Sequence, residues 1–182
     1  MALRQLRQLG DDILKKKAKP VQAFDAALHG LLDDMWDTLR QNEGLGLAAP
    51  QIGVLRRIAI IELEDETFEL INPEIVEASP EKEVRTEACL SVPDMQGDVE
   101  RPTYIIVEAL DRDGNVYELE TDDDLLATAL CHELDHLDGI LFVDKAIKVQ
   151  DRSDEEVRKR GKRRKRQEGK KISKKQKSNR RR

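Results

Sequence analysis

The segment ALCHELDHLDG, residues 129–139, constrains the fold of this chain more than any other stretch. It contains two of the three histidines, His132 and His136, four positions apart within a largely apolar run. Residues i and i+4 lie on one face of an α-helix, so a helix here would present both imidazoles to one ion. Aspartates at positions 122–124 and Gly139 at the far end predict that this helix spans residues 122–139.

The five residues HELDH fit the pattern H-E-x-x-H, in which the glutamate is a general base for metal-bound water. Glu133 is the candidate base, and His132 and His136 are candidate metal ligands. The alternative is a helix with two surface histidines and a solvated glutamate. A metal site needs a third ligand, and the best candidate is Cys89, because a thiolate suits zinc or ferrous iron. Two histidines and one cysteine leave a fourth position open for water.

Cys131 precedes His132 and therefore points about 100° away around the predicted helix. We expect it to be a core thiol rather than a ligand. A third stretch of interest is GLGLAAPQIG, residues 44–53. Its glycines allow close approach of the backbone to a ligand, and Pro50 restricts Ala49 to an extended conformation. Gln51 then offers a side-chain amide as a donor, although a plain turn between helix and strand is the alternative.

Periodicity predicts the remaining elements. Apolar residues at helical spacing over residues 24–42 predict an amphipathic helix capped by Asp25. The run 56–63 predicts a buried strand, and 68–77 predicts one or two strands broken at Pro73. Residues 103–110 and the segment VYELET predict a hairpin that turns at residues 113–114. Strands with helices at either end indicate the α+β class.

The charge distribution divides the chain. Residues 1–156 carry 16 Lys/Arg and 36 Asp/Glu, a net of -20, whereas residues 157–182 carry 16 Lys/Arg and one acidic residue, a net of +15. We predict a catalytic domain over residues 1–150 and a mobile basic tail over residues 151–182, because the tail has too few apolar residues for a core. The N-terminus lacks signal-peptide character, and no apolar run is long enough to span a membrane. We therefore expect a cytoplasmic protein.

Three stretches occur in order: GLGLAAPQ, EACLS and HELDH. Together they resemble the peptide deformylases, and the opening segment LGDDILKKKAKPV is also similar to that family. The resemblance covers about residues 3–147. It implies an α+β fold in which antiparallel β-sheets pack around a central metal-binding helix. An N-terminal amphipathic helix and a basic C-terminal extension complete the expected architecture.

The resemblance also implies an activity, removal of the formyl group from the N-terminal formyl-methionine of nascent chains. Cys89, His132 and His136 would bind the metal, which is Fe²⁺ in this family, with zinc, nickel or cobalt as substitutes. Glu133 would handle the proton of the metal-bound water that attacks the formyl carbonyl. The Gln51 amide and the backbone N–H of Leu90 would stabilise the oxyanion that develops on the formyl oxygen. Gly46 would pair its backbone with the substrate peptide.

The methionine side chain of such a substrate requires an apolar pocket. Candidates by position are Leu45, Leu125, Thr128 and Ala129, the last three because they lie one or two turns before His132. Asp135 cannot share the metal-facing side of the helix with both histidines. We predict that it pairs with Arg101 and so ties the cysteine-bearing segment to the helix.

Two functions of other classes remain open for this sequence. One is an H-E-x-x-H peptidase that cuts internal bonds and does not depend on Cys89. The other is an RNA- or ribosome-binding factor with an inactive domain. The basic tail 157–182 is a candidate for binding ribosomal RNA, with a solvated extension as the alternative. We expect a monomer with no membrane partner.

Overall fold

The computed structural model describes residues 2–64 and 66–152. The chain divides into a unit of residues 1–149 and a unit of residues 150–182, so the predicted basic tail lies almost entirely outside the described residues. The helices and strands of the described residues, in chain order, are α1 (Ala26–Gln41), β1 (Gly46–Ala48), β2 (Ile58–Leu63), β3 (Glu66–Ala78), β4 (Lys82–Cys89), β5 (Val92–Pro102), β6 (Ile105–Leu110), β7 (Val116–Thr121), α2 (Asp124–Leu137), α3 (Phe142–Lys145) and β8 (Lys148–Asp151). No helix among the described residues is long and apolar enough to cross a membrane.

The strands form two sheets. One has five strands in the order β1-β2-β3-β6-β7, with antiparallel pairing throughout and β1 at an edge. The other has the order β4-β5-β8, and β4 and β5 form a long antiparallel hairpin. The predicted combination of helices with antiparallel sheets is confirmed. Helix α2 packs against strands of both sheets, namely β1 and β2 of the first and β5 of the second.

Strand β2 shows why the first sheet is apolar on both faces. Ile58 and Ile60 belong to the core on the α1 side, and Ala59 and Ile61 belong to the core on the α2 side. Successive side chains of a strand point to opposite faces, so a strand between two helices must be apolar at every position. Burying each such aliphatic side chain contributes about 1.5–3 kcal/mol. This arrangement fixes α2 against the sheet.

Both long helices among the described residues begin after a capping aspartate, which is Asp25 as predicted for α1 and, for α2, Asp123 within the predicted run 122–124. The side chain of Asp25 accepts hydrogen bonds from the N–H groups of Ala27 and Leu28 at the start of α1. Asp123 accepts from Leu125 and Leu126 in the same way at the start of α2. These contacts satisfy N–H groups that have no partner within the helix. Both helices therefore begin at residues that the sequence marks.

The predicted break at Pro73 is wrong, because β3 runs through it from Glu66 to Ala78. Pro73 lies where the register with β6 shifts between Ile71 and Glu74, so the missing N–H falls in a bulge. Asn72 occupies the same bulge with a φ of 52°. Its side chain accepts from the N–H of Val21 at 2.7 Å and donates to the carbonyl of Val21 at 2.9 Å. The N-terminal segment therefore anchors the irregular part of the strand.

Residues 2–19 contain no long helix or strand, but they form backbone hydrogen bonds with several distant parts of the chain. Backbone N–H groups of this segment donate to distant carbonyls: Arg7 to Gln51 at 2.7 Å, Leu9 to Ser91 at 2.8 Å and Ala18 to Leu137 at 2.8 Å. Gly139, with a φ of 76°, allows the N-terminal segment to come close to the end of α2, since a Cβ there would lie 2.6 Å from the backbone of Lys15. This segment connects the end of α2 with two of the sequence motifs.

Candidate metal centre

Helix α2 brings His132 and His136 to one face, as their spacing predicts. The two rings lie edge to face with centroids 4.9 Å apart. His136 is 1 % exposed, and burial lowers the pKa of its imidazole well below the ordinary value. A neutral imidazole is the form that binds a metal, so burial prepares this ring for coordination.

Cys89 ends strand β4 and approaches the same face of α2. Its Sγ lies 3.2 Å from Nε2 of His136. One ligand atom from each of Cys89, His132 and His136 can be chosen so that all three lie within 4.8 Å of one another. A thiolate and two imidazoles are ligands of zinc and ferrous iron, and three such ligands leave room for a solvent molecule. The donor set therefore fits a divalent transition metal.

Glu87 fixes the orientation of His132. Its Oε2 lies 2.7 Å from Nδ1 of His132, which leaves Nε2 of that ring free to face an ion. Burial lowers the pKa of His132, but the Cys89 sulfur and the Glu87 carboxylate outweigh burial and raise the pKa to about 10. The surroundings of this ring are thus strongly negative. A bound cation would be stabilised by them, in the way that carboxylate–histidine pairs support metal ligands.

Arg101 holds Glu87 in place from the other side. It donates to Oε1 at 2.5 Å and to Oε2 at 2.9 Å, and both residues are buried. Its Nη1 also donates to Asp135 at 2.7 Å, so the predicted Arg101–Asp135 pair is confirmed. Lys145 in α3 contacts the same Asp135 at 2.9 Å. This network ties the β4–β5 hairpin to α2, and the hairpin carries Cys89 while the helix carries the two histidines.

Glu133 is buried beside the two histidines. Burial raises the pKa of its carboxyl to about 7, and the neighbouring His132 opposes that rise. Within the part of the chain that the structure describes, Oε2 of Glu133 and Nδ1 of His136 are buried without a hydrogen-bond partner. A carboxyl of raised pKa that lacks a protein partner is available to exchange a proton with water or substrate.

Gly46, the first residue of β1, leaves the space that Glu133 occupies. A Cβ at Gly46 would lie 2.4 Å from Oε1 of Glu133, closer than any real contact of a Cβ. The sequence predicts a role for the Gly46 backbone alone, and the structure adds this steric reason for a glycine. The backbone of β1 can approach the carboxylate only because residue 46 has no side chain.

Gln51 lies in a short 3-10 helix (Ala49–Ile52) and is 1 % exposed. Its Oε1 accepts from the N–H of Ala48 at 2.7 Å, and its Nε2 lies 3.4 Å from the Cys89 sulfur and 3.2 Å from Oγ of Ser91. The amide therefore reaches the cluster with its donor side. Among the predicted site residues, the structure brings together Gln51, Cys89, His132, Glu133, His136 and Gly46.

The other predicted site residues have weaker structural support. Leu90 follows Cys89 and packs against the core on the α1 side. Leu45 and Leu125 are each 51 % exposed, and Ala129 is half-buried against the core on the α2 side. The hydroxyl of Thr128 donates to the carbonyl of Asp124 at 2.6 Å. Cys131 is 5 % exposed in the core on the α2 side, and burial raises its pKa to about 11, so its prediction as a core thiol is confirmed.

Two residues of the cluster, Glu87 and Ser91, were missed by the sequence interpretation. Glu87 precedes Cys89 by two positions in β4, and side chains two apart point to the same face of a strand. That spacing could have placed Glu87 beside the metal ligands once the strand was recognised. Ser91 lies just beyond β4 and had no comparable signal, because its contacts depend on where Gln51 lies in the fold.

Comparison with known proteins agrees with this arrangement. The model of the family described as "Polypeptide deformylase" matches residues 3–152. The peptide deformylase of Caldicellulosiruptor bescii is 53% identical over 162 residues, which cover 88% of this chain and 94% of that protein.

Two solved structures are also similar. A peptide deformylase from Legionella pneumophila has a TM-score of 0.76 at 44% identity, over 79% of this chain and 86% of that one. The Met-Ala-Ser-bound class I type b peptide deformylase from Acinetobacter baumannii has a TM-score of 0.76 at 36% identity, over 79% and 98%. Sequence, fold and cluster thus agree, and the chain belongs to the peptide deformylase family.

Proposed function

We propose that this protein hydrolyses the formyl amide at the N-terminal formyl-methionine of nascent polypeptides. The observation that carries the proposal is the convergence of Cys89, His132 and His136 beside the buried carboxyl of Glu133. Family membership supports the same activity. A peptide deformylase that is 36% identical binds Met-Ala-Ser, the kind of peptide that loss of a formyl group would leave.

The Sγ of Cys89 and the Nε2 atoms of the two histidines would hold the metal. We propose Fe²⁺ as the native ion, with zinc, nickel or cobalt as substitutes. A divalent ion held there would lower the pKa of a water molecule and polarise the carbonyl of the substrate. Glu87 and Arg101 keep the His132 ring in the orientation that leaves Nε2 available.

Glu133 is the general base and then the general acid. Its pKa of about 7 lets the carboxylate accept a proton from the attacking water and the carboxylic acid return it to the amine of methionine. The products are formate and a free amino terminus, so the protons balance. The Gln51 amide and the N–H of Leu90 would donate to the carbonyl oxygen as negative charge develops on it.

Strand β1 is the proposed docking edge for the substrate. It lies at the end of the sheet order β1-β2-β3-β6-β7, so one of its sides is unpaired within the described sheet. An extended peptide can add to such an edge through backbone hydrogen bonds. Gly46 begins this strand next to Glu133, which would bring the peptide N-terminus to the cluster. Leu45, Leu125, Thr128 and Ala129 are the proposed lining of the methionine pocket.

The two alternative functions have less support. An H-E-x-x-H peptidase would not depend on Cys89, yet the Cys89 sulfur lies 3.2 Å from the His136 ring. An inactive RNA-binding factor would have lost a ligand or the base. Instead the ligands, the base and the Gln51 amide lie close together.

The decisive experiment compares formyl-Met-Ala-Ser with acetyl-Met-Ala-Ser, using protein purified without oxygen and analysed for metal. We expect the amine to be released from the formyl peptide only. Glu133→Ala should lower kcat by about 10²–10⁴-fold, because general acid–base catalysis contributes that much. Glu118→Ala on exposed β7 is the matched control and should retain activity. Equal release from both peptides, or full activity of Glu133→Ala, would reject the proposal.

We also propose that the protein is a cytoplasmic monomer.

A further proposal is that residues 157–182 bind ribosomal RNA. Residues 1–156 carry a net charge of -20 and would repel phosphates, so the tail must supply the attraction. Affinity for ribosomes should fall steeply with salt, since each neutralised phosphate adds about 0.7–0.9 to the slope of log affinity against log salt. A chain that ends at residue 152 should not co-sediment with ribosomes. Undiminished co-sedimentation of that chain would rule out the tail as the anchor.

A further inference from the structure

Ser91 is a buried residue for which the proposed mechanism has no role. It is 0 % exposed and makes three polar contacts. Its Oγ accepts from Nε2 of Gln51 at 3.2 Å, and its N–H donates to the Cys89 sulfur at 3.4 Å. Its carbonyl accepts from the N–H of Leu9 at 2.8 Å. Ser91 therefore contacts the amide, the thiol ligand and the N-terminal segment at once.

The contacts of Gln51 determine which way its amide faces. Oε1 accepts from the N–H of Ala48 at 2.7 Å, and a carbonyl oxygen can do so whereas an NH₂ group cannot. Nε2 therefore faces the opposite side and carries two hydrogens. One has Oγ of Ser91 as its acceptor, and the other points to the side of the Cys89 sulfur, 3.4 Å away. A sulfur at that distance is the weaker acceptor of the two.

We propose that Ser91 is a positioning residue for the reaction. Its hydroxyl oxygen anchors one hydrogen of the Gln51 amide, so that the second hydrogen stays directed toward the Cys89 side of the cluster. There it can donate to the carbonyl oxygen of the substrate as charge develops. This inference rests on the proposed function, in which Gln51 is the donor to that oxygen.

The backbone behind these two side chains supports the same role. Arg7 donates to the carbonyl of Gln51 and Leu9 donates to the carbonyl of Ser91, so residues two apart in one segment hold both. The hydrogen bond from the Gln51 amide to the Ser91 hydroxyl joins the same two residues through their side chains, on the side of the cluster. Both ends of the anchoring hydrogen bond are thus fixed independently of it. A donor fixed before the reaction needs no reorganisation when charge develops.

Loss of the anchor should affect catalysis more than substrate binding. Removing a whole oxyanion donor lowers kcat by about 10²–10³-fold. In Ser91→Ala the Gln51 amide keeps its hydrogen bond from Ala48 and loses only the one to Ser91, so the amide is only partly displaced and the effect should be smaller. We expect Ser91→Ala to lower kcat by about 10–100-fold with KM nearly unchanged, the signature of an interaction made in the transition state. Ser79→Ala, which removes another hydroxyl with backbone and side-chain contacts, is the matched control and should keep kcat.

A double-mutant cycle tests whether Ser91 acts through Gln51. In the Gln51→Ala background, Ser91→Ala should lower kcat by less than about twofold, because the anchored group is gone. Ser91→Thr keeps the hydroxyl and should recover most of the loss. Equal effects of Ser91→Ala in both backgrounds would overturn the proposal, as would a Ser91→Thr variant that folds and loads metal yet is as slow as Ser91→Ala.

Hydrogen exchange of the Gln51 side-chain amide provides a readout that needs no substrate. In the zinc-loaded protein, NMR should show one slowly exchanging hydrogen on that amide, which becomes at least tenfold faster in Ser91→Ala. If both hydrogens of the wild-type amide exchange as fast as in a free glutamine, the anchor does not exist. This measurement stands apart from the proposed function, which fails separately if the wild-type protein releases no formate from formyl-Met-Ala-Ser.

Discussion

The position of the Glu133 carboxylate depends on the absence of a side chain at Gly46. Oε1 of Glu133 lies only 2.4 Å from the place that a Cβ of residue 46 would occupy. Both atoms belong to well-packed elements, β1 and α2, whose backbones contact the same core. Neither element can move away without disturbing that packing. Gly46 is therefore needed for the position of the Glu133 carboxylate, in addition to the substrate-backbone role proposed for it.

Gly46→Ala should accordingly impair catalysis more than folding. The added Cβ forces the Glu133 carboxylate aside, and a displacement of about 1 Å in a catalytic group can lower the rate about 10²-fold. We expect kcat/KM on formyl-Met-Ala-Ser to fall by about that factor, as measured by steady-state kinetics.

Gly30→Ala is the control for this substitution. It lies in α1, and a Cβ there meets nothing within 4 Å, so activity should be unchanged and stability should rise slightly through higher helix propensity. Wild-type activity in Gly46→Ala would show that Glu133 can work from another position.

At the scale of elements, the metal site depends on how a hairpin joins a helix. Cys89 is on the β4–β5 hairpin and the histidines are on α2, and Arg101 spans the two through Glu87 and Asp135. All of these charges are buried or nearly so, with side-chain exposures of 3 % for Arg101 and 2 % for Glu87. A buried network of ion pairs does not by itself make a protein highly stable, because its charges must leave water. Removing one residue of the network is nevertheless costly, because it leaves the remaining charges uncompensated.

Arg101→Leu should therefore destabilise the protein by about 3–5 kcal/mol and loosen the metal site. Denaturant unfolding and metal analysis after dialysis measure the two effects. The control is Lys17→Leu, which removes a cation paired with Asp138 at an exposed position, where ion pairs contribute less than about 1 kcal/mol. An unchanged melting temperature together with full metal retention in Arg101→Leu would exclude this role.

The elements differ in how well their sequences predict them. Helices α1 and α2, strand β2 and the β6–β7 hairpin have strong periodicity, caps or a turn signal, and they occur at the expected positions. Strand β4 has exposed positions at Lys82, Glu83 and Val84, so its apolar alternation is weak and the sequence predicts no strand there. The sequence predicts a break at Pro73, because a bulge that accommodates the proline depends on the partner strand. Tertiary pairing, which a local pattern does not contain, decided both cases.

At the scale of the whole molecule, a second charged network lies on the five-stranded sheet, whereas Arg101 and Glu87 belong to the three-stranded one. Glu69 in β3 accepts from Trp36 in α1 at 2.8 Å and from Arg112 after β6 at 2.9 Å. Burial raises the pKa of Glu69, but the hydrogen bonds from Arg112 and Trp36 outweigh it and hold the pKa below its ordinary value of 4.5. The Glu69 carboxylate joins β3 to α1 and to the turn between β6 and β7, so its ionisation affects the stability of these contacts.

The sign of the pH effect follows from this lowered pKa. The folded state binds the proton less tightly than the unfolded state, so the stabilisation is complete above the ordinary pKa and disappears as the pH falls through the folded-state pKa. Glu69→Gln should thus melt at a lower temperature than wild type at pH 7, and the gap should narrow below about pH 4.5. Thermal melts from pH 7 to pH 3 measure it, with Glu118→Gln as the exposed control. A gap that stays constant with pH would contradict this assignment.

Most of the site was predictable because its ligands lie in short, recognisable motifs. Cys89, His132, Glu133, His136 and Gln51 occur in three such motifs, and the structure brings these residues together. The supporting contacts were less accessible. The Arg101–Asp135 pair is predicted from the helix geometry, but the second carboxylate on Arg101, that of Glu87, is not, since its contact depends on the register of β4 with β5. Long-range register is a property of the folded chain as a whole.

The hydrogen bond from Ala18 to Leu137 has a consequence for synthesis of the protein. At about 5–20 residues per second, roughly 6–24 s pass between translation of the donor and translation of the acceptor. Until then the first residues lack one of the partners that hold them against the end of α2. The enzyme that would process the beginnings of other chains thus cannot finish arranging its own beginning until α2 has left the ribosome.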